Sequence, residues 1–168
     1  MIVETERLIV RELTLADAPF ILELLNEPAF HQYIGDKGVR DIAGAEKYLR
    51  DGPLAMYKRH GFGLWLVTLK GSGEPVGISG LLQRDYLPKP DLGFALLHRH
   101  TGQGYAHESA VAVLRHGRET LQLPRILAIT AAENAASIGL LQKLGFRFQR
   151  MIDLPGFAMP SRLFQLEG

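Results

Sequence analysis

The segment HRHTGQGYAHESA, residues 98–110, constrains the fold more than any other stretch of the chain. It follows the strand-like run LGFALL and opens an amphipathic helical pattern. The first N–H groups of a helix lack intrahelical partners and together carry about half a positive charge, so they bind anions well. Gly102 and Gly104 lack the Cβ atoms that would hold an anion away, while Gln103, Tyr105 and Ala106 supply further N–H donors. The segment therefore predicts either an anion site or simply a tight turn into a helix.

Other motifs that bind phosphates or metals do not fit these residues. The chain has no GxxxxGK[ST] run, which disfavours a triphosphate site, and position 107 is His where a dinucleotide fingerprint needs its third glycine. His107 and Glu108 begin an HExxH pattern that fails at Val111. His98 and His100 have no third ligand at a suitable spacing, so we expect no metal site.

Chain length and charge limit the possible classes of protein. A chain of 168 residues that is 46% apolar predicts a single domain over residues 1–168. Its 19 Lys and Arg against 18 Asp and Glu give a net charge of +1, too balanced for a nucleic-acid-binding surface. No signal-peptide pattern and no run of about 18 apolar residues occurs, so we expect a cytoplasmic protein with no membrane contact. The absence of cysteine excludes disulfides and cysteine nucleophiles.

The hydrophobic pattern predicts the element order βααβββαβαββ, which is typical of a mixed α/β domain. The alternating run ERLIVREL predicts the first strand, and Thr14 followed by Asp17 predicts the start of the first helix. We expect residues 28–40 to form a mobile loop and the second helix to be interrupted at Gly52 and Pro53. The runs GFGLWLVTL, PVGISGLL and DLGFALL then predict three consecutive strands.

Two separated segments resemble the GNAT acetyltransferases. The run DLGFALLHRHTGQGYAHESA is similar to that family's pyrophosphate-binding segment, and NAASIGLLQKLGF is similar to its second segment, NxxSxxLLxKLGF. The run GFGLWLVTLKGSGEPVGISGL resembles the family's central hairpin. The order and spacing match over essentially the whole chain, more loosely over residues 1–59. Within the family, the pattern resembles the RimJ/RimL-like ribosomal-protein alanine N-acetyltransferases.

The resemblance implies a fold and a cosubstrate. The fold would be a central, mostly antiparallel mixed sheet of six to seven strands, splayed at the cofactor site and flanked by about four helices. Acetyl-CoA would bind with its pantetheine arm on the splayed strand and its phosphates at the next helix, without a metal. The residues implied for the arm are Phe94, Ala95 and Leu96, and those for the phosphates are Thr101, Gly102, Gln103, Gly104, Tyr105 and Ala106. Thr101 stands where the family usually has Gln or Arg, and Asn134 would contact the cofactor while capping its own helix.

Acetyl transfer to an amine requires a proton to leave the ammonium and the departing thiolate to be stabilised or protonated. Asp91 matches the family's glutamate and could hold the amine or relay its proton, or could be a solvated loop residue. Ser137 matches a serine of the RimL-like members and could protonate the thiolate, or could bond a helix carbonyl. The family's general-acid tyrosine is replaced by Leu141. Backbone N–H groups of the splayed strand would stabilise the oxyanion.

The resemblance therefore implies an acetyl-CoA-dependent N-acetyltransferase acting by direct attack in a ternary complex, as a monomer or homodimer. The acceptor would be a primary amine of a protein N-terminus or of a small molecule. It would bind against residues 28–40 and the DLPGFAMP loop, near His31, Tyr33 and Asp153. Leu141 and Thr101 leave open a catalytically silent acyl-CoA-binding or sensor domain. A general nucleotide-binding protein is a third possibility, which competition between ATP and acetyl-CoA would test.

Overall fold

Eight strands form one mixed sheet in the computed structural model, which describes residues 1–167. In the order of the sheet they run β1-β2-β3-β4-β5-β6-β8-β7. Every neighbouring pair is antiparallel except β5 and β6, which are parallel. The strands are β1 Val3–Glu4, β2 Leu8–Arg11, β3 Leu64–Leu69, β4 Pro75–Leu82, β5 Asp91–Leu96, β6 Arg125–Ala131, β7 Arg147–Ile152 and β8 Ser161–Glu167. The predicted mixed, mostly antiparallel sheet is confirmed, with one strand more because the run around ERLIVREL folds as a short hairpin.

Six α-helices lie within residues 1–167, rather than about four as predicted. They are α1 Ala18–Leu25, α2 Pro28–Tyr33, α3 Ile42–Leu49, α4 Ala55–His60, α5 Tyr105–Glu119 and α6 Ala135–Lys143. The expectation of a loop throughout residues 28–40 is wrong for α2, because Pro28 suits the first position of a helix and Phe30 is buried. A π-helical turn over Arg50–Leu54 carries the chain past Pro53 and joins α3 to α4. None of the helices in the described part of the chain is long and apolar enough to span a bilayer.

The sheet lies between two apolar layers, because successive strand residues point to opposite faces. On one face, Trp65 and Val67 of β3 pack in a cluster with Val113 of α5 and Leu141 of α6. On the other face, Leu66 packs in a cluster with residues of α1, α2 and α3. The aromatic side chains of Phe62, Trp65 and Phe146 are all buried.

The parallel pair β5–β6 opens almost as soon as it forms. Its register contains one residue pair, Asp91 with Leu127, supported by a 2.9 Å hydrogen bond from the Leu127 N–H to the Pro90 carbonyl. Beyond that point β5 stays paired with β4 over its full length, and β6 stays paired with β8. The predicted splay of the sheet is therefore present, and it starts at Asp91.

The alternation of an antiparallel ladder identifies which β5 backbone groups face this opening. The Leu97 N–H donates to the Val76 carbonyl of β4 at 2.9 Å, and every second residue of β5 follows the same direction. The Pro90 carbonyl points in the opposite direction, to β6. This second hydrogen bond independently shows that the even-numbered residues of β5 direct their backbone groups away from β4. It follows that Leu92, Phe94 and Leu96 direct their N–H and carbonyl groups into the opening.

Glu108 fastens the start of α5 to the turn between β1 and β2. Its carboxylate accepts hydrogen bonds from the Thr5 hydroxyl at 2.5 Å, from the Arg7 N–H at 2.9 Å and from Arg7 Nε at 2.7 Å. Burial opposes ionisation of Glu108, but these hydrogen bonds and the charge of Arg7 lower its pKa below the ordinary value. These contacts give Glu108 a structural role at the start of α5.

We expect Glu108→Ala to lower the free energy of unfolding by about 1–3 kcal/mol at pH 7, because three donors lose a charged acceptor. A carboxylate with a lowered folded-state pKa stabilises the protein above its unfolded-state pKa, and that contribution disappears as the pH falls through the folded-state value. Urea unfolding at pH 7 and pH 3 measures this difference. Glu119→Ala, on the exposed end of α5, serves as the control. An equal loss of stability in both variants would contradict the assignment.

Candidate active site

A cleft of about 1100 Å³ occupies the opening between β5 and β6. Residues of α2 and the N-terminal ends of α5 and α6 complete its walls. Eleven of the twelve predicted catalytic and cofactor-binding residues line this one cavity, and Gln103 is the exception. The predicted site residues that line the cleft are Asp91, Phe94, Ala95, Leu96, Thr101, Gly102, Gly104, Tyr105, Ala106, Asn134 and Ser137.

The N-terminus of α5 presents a run of free backbone donors to this cleft. The N–H groups of residues 102–107 donate to no acceptor within residues 1–167. Gly102 and Gly104 hold left-handed conformations with φ of 77° and 84°, which turn the chain into the helix and suit glycine. A Cβ at Gly102 would meet no atom within 4 Å, so the space beside it is open. Such a run at a helix N-terminus binds anions.

Two residues predicted for this end have other contacts. Gln103 does not line the cleft, and its carbonyl accepts a 3.0 Å hydrogen bond from Arg7 Nη1. The Thr101 hydroxyl donates to the His98 carbonyl at 2.6 Å, so its side chain closes the turn before α5. The guanidinium of Arg7 also lies 4.7 Å from the centre of the Tyr105 ring and holds that ring in place.

The splayed strand supplies both backbone and side-chain surface. The free groups of Phe94 and Leu96 face the opening, whereas Ala95 is paired with Ile78 of β4 and contributes its side chain to the lining. A ligand lying along this edge would form the hydrogen bonds of an additional strand. Of the residues predicted for the arm, Phe94 and Leu96 therefore offer main-chain hydrogen bonds and Ala95 offers surface.

Helix α6 directs Ser137 at the cleft. The Asn134 side chain accepts a 3.2 Å hydrogen bond from the Ser137 N–H, which caps the helix as predicted. The Ser137 hydroxyl makes no hydrogen bond within the described residues, so the alternative in which it bonds a helix carbonyl does not hold. Leu140 also lines the cleft, whereas Leu141 is fully buried in the core.

Asp91 is the first residue of β5 and is fully buried, so the interpretation of a solvated loop residue is wrong. Both carboxylate oxygens accept from Arg84 Nε, at 3.1 and 3.2 Å, and Arg84 Nη1 donates to the Tyr86 hydroxyl at 2.9 Å. Burial raises the pKa of Asp91 to about 6, against the opposing attraction of Arg84. Asp91 is consequently a carboxylate that can change its protonation state near neutral pH.

The cleft wall beyond Asp91 contains residues that the sequence reasoning missed. Lys37, Tyr48 and Arg84 line it, as do Leu154 and Phe157 of the predicted DLPGFAMP loop. Tyr33 lines the cleft as expected, but His31 and Asp153 do not. No spacing in the sequence connects Lys37 and Tyr48 with Arg84, since they come from separate segments that only the tertiary fold brings together.

Comparisons with known proteins agree with this geometry. Residues 7–147 match the family described as the acetyltransferase (GNAT) domain. An uncharacterised N-acetyltransferase of Bacillus subtilis, YoaA, is 28% identical over 149 residues, which cover 87% of this chain and 82% of that protein. The structure of an acetyltransferase from Agrobacterium tumefaciens has a TM-score of 0.82 at 26% identity, covering 99% and 94% of the two chains. The structure of RimL, a ribosomal L7/L12 α-N-protein acetyltransferase in complex with CoA, has a TM-score of 0.84 at 16% identity, covering 99% and 97%.

A family match over most of the chain, on a sheet that splays beside an anion-binding helix start, shows that the protein belongs to the GNAT acetyltransferases. It is an N-acetyltransferase, as its relatives are named. The family uses acetyl-CoA as the acyl donor in general, and the predicted class of enzyme is thereby confirmed.

We expect Arg84→Met to cost about 3 kcal/mol of unfolding free energy at pH 8, because a buried carboxylate loses its partner. Asp91 has a folded-state pKa above the unfolded-state value, so its protonated form favours folding and stability falls as the pH rises through the folded-state pKa. Loss of Arg84 raises that pKa further, so the variant should be closer to wild type at pH 5 than at pH 8. Urea unfolding at both pH values measures this.

The double variant Arg84→Met, Asp91→Asn is the control for the Arg84 experiment. Removal of the charge should restore most of the stability at pH 8, since no unpaired carboxylate remains. A cost that is the same at pH 5 and pH 8, or that persists in the double variant, would show that the ion pair is not its cause.

Proposed function

We propose that this protein is a RimJ/RimL-like enzyme that transfers the acetyl group of acetyl-CoA to a primary amine by direct attack in a ternary complex. The observation that carries the proposal is the continuity of the cleft. The free edge of β5 and the free N–H groups of residues 102–107 border the same cavity. A cosubstrate with an extended arm and a pyrophosphate needs both features together.

The dimensions of β5 fit that cosubstrate. From Asp91 to Leu96 the strand advances about 17 Å, so its two ends are well separated within the cleft. The phosphates would lie on the N–H groups of Gly102 to Ala106, and the arm would pair with Phe94 and Leu96. The thioester would then lie towards Asp91, between the splayed strands. Asn134 and Ser137 border the same cavity from α6.

In the proposed reaction, a bond forms between the amine nitrogen and the acetyl carbon, the bond from that carbon to sulfur breaks, and a proton leaves the nitrogen. Asp91, with a pKa of about 6, would accept that proton directly or through water at neutral pH. The Ser137 hydroxyl, which has no protein acceptor within residues 1–167, would donate to the departing sulfur. A backbone N–H of β5 would donate to the acetyl oxygen as its negative charge increases.

The family assignment favours an active enzyme over the silent acyl-CoA-binding or sensor domain, and no observation supports the latter or a general nucleotide site. Leu141 is a core residue, so its replacement of tyrosine does not obstruct the cleft. Three points stay predictions: the acceptor is an amine of a protein N-terminus or of a small molecule, the protein is a monomer or homodimer, and its location is cytoplasmic.

We expect Gly102→Val to abolish acetyl-CoA binding. It should lower the free energy of unfolding no more than the same substitution at a matched glycine outside the cleft. Gly61, at the end of α4, has φ of 78° against 77° for Gly102, and a Cβ at either position would meet no atom within 4 Å. Valine should therefore introduce similar backbone strain at both sites, about 1–2 kcal/mol. Only the Gly102 variant places methyl groups over the free N–H groups.

Thermal unfolding with increasing acetyl-CoA measures this pair of variants. Ligand at 100 times its dissociation constant should stabilise wild type and Gly61→Val by about 2.7 kcal/mol, and Gly102→Val by much less. ATP serves as a control and should give no comparable shift. Equal stabilisation of both variants, or no shift of wild type at millimolar acetyl-CoA, would overturn the site assignment.

We expect the pH dependence of kcat/KM to report the ionisation of Asp91. If only the acceptor ammonium must lose a proton, log(kcat/KM) rises with pH with a slope of about 1. If Asp91 must also be deprotonated, the slope is about 2 below pH 6 and about 1 above it. Asp91→Asn should lower kcat/KM by about 100-fold at pH 8 and keep a slope of 1 throughout.

Ser137→Ala is the comparison variant for the pH profile. It should bind acetyl-CoA normally and lose about tenfold in kcat, yet retain both slopes, because Asp91 remains. A slope of 2 that persists in Asp91→Asn would assign the second ionisation to another group.

A further inference from the structure

The cleft has an excess of positive charge on the wall beyond Asp91. Apart from tyrosines, the charged or ionisable side chains that line the cleft are Glu27, Lys37, Arg84, Asp91, His98 and His107. Glu27 is on the α5 side, where its carboxylate accepts a 2.9 Å hydrogen bond from the His98 N–H. Near Lys37 and Arg84, the acidic lining residue is therefore Asp91, and both of its oxygens already accept from Arg84.

Three donors on this wall have no protein acceptor within residues 1–167. Lys37 Nζ forms no ion pair, because the neighbouring carboxylate of Asp36 is held by Arg40 and by the Gly38 N–H. Arg84 uses Nε and Nη1, but Nη2 makes no hydrogen bond. The Tyr48 hydroxyl likewise donates to no side chain or backbone group in the described chain.

Tyr48 and Arg84 are half-buried, whereas Lys37 is exposed to solvent at the wall of the cleft. Burial and the charge of Arg84 lower the pKa of Lys37, and burial raises the pKa of Tyr48 against the opposing influence of Arg84. The charge of Arg84 contributes to both shifts, so both side chains lie within electrostatic range of its guanidinium. Two cations that repel one another are both stabilised by an anion bound between them.

We propose that the acceptor amine carries a carboxylate, which Lys37, Tyr48 and Arg84 bind on the wall beyond Asp91. This inference rests on the proposed function, since it names the substrate class of the same site. The carboxylate would accept from Lys37 Nζ, from Arg84 Nη2 and from the Tyr48 hydroxyl, while its amine faces the buried Asp91. A polyamine, which carries additional positive charges, would be repelled by the same two cations.

Matched acceptors test this inference. L-Alanine and L-alaninamide differ in the α-carboxylate, and the dipeptide amides Asp-Ala and Asn-Ala differ in a side-chain carboxylate at a peptide N-terminus. Released CoA can be followed with a thiol reagent, since the chain contains no cysteine. Rates are compared as kcat/KM for the unprotonated amine, which removes the effect of different amine pKa values.

We expect the carboxylate member of at least one pair to be favoured about tenfold or more, which is the effect of one charged hydrogen bond. A preference within the alanine pair would indicate a free amino acid as the acceptor, and a preference within the dipeptide pair would indicate an acidic peptide N-terminus. Lys37→Gln should reduce that preference about tenfold, and Lys37→Arg should retain most of it. Lys58→Gln, an exposed lysine of α4 outside the cleft, should leave the ratio unchanged.

The outcomes separate the inference from the proposed function. Turnover with equal kcat/KM within both pairs, or preference for spermidine, would overturn the inference and leave the transferase intact. A preference that survives Lys37→Gln would also overturn it. If no acceptor releases CoA, the proposed function fails, and calorimetric titration with N-acetylalanine and N-acetylalaninamide then decides the inference. Equal or absent binding of these two compounds would overturn it.

Discussion

A single residue pair, Asp91 with Leu127, joins the two halves of the sheet by parallel pairing, and the site depends on how little pairing follows it. Unpaired backbone groups are costly when they are buried, so strands in a sheet normally stay together. Here β5 and β6 can separate because each is fully paired on its other side, with β4 and β8. The free edges face a cleft, where water or a ligand can pair with them. The binding groove is therefore a property of strand pairing rather than of loop conformation.

The same divergence gives the cleft two electrostatically different ends. Beyond the C-terminal end of β5, at the start of α5, the free N–H groups of residues 102–107 provide partial positive charge on uncharged backbone. Where β5 begins, Asp91 is fully buried against Arg84, and its pKa is raised to about 6. One end is suited to an anion and the other to proton transfer. The length of β5 sets the distance between the N–H groups at the start of α5 and the Asp91 carboxylate.

Much of this arrangement was predictable from local sequence. The strand, the two glycines and the helix start are neighbours in the chain, so HRHTGQGYAHESA predicts either an anion site or a tight turn into a helix, and Asn134 predicts its own cap. Three features required the tertiary fold. A two-residue strand such as β1 is too short for a periodic signal, and α2 begins at a proline that also fits a loop. Lys37, Tyr48 and Arg84 line one cleft only because the tertiary fold brings separate segments of the chain together.

The orientation of α6 about its own axis decides which of its side chains face the cleft, and Leu141, which replaces the family's tyrosine, is not one of them. The bond from the Ser137 N–H to Asn134 fixes the first turn, after which Ser137 and Leu140 face the cleft and Leu141 faces the core. Leu141 is fully buried, so an apolar side chain there stabilises the packing of α6 on the sheet. Ser137 is the one hydroxyl in the sequence of this helix. The replacement of tyrosine by leucine thus leaves Ser137 as the donor that α6 presents, which is the reason to expect activity to depend on its hydroxyl.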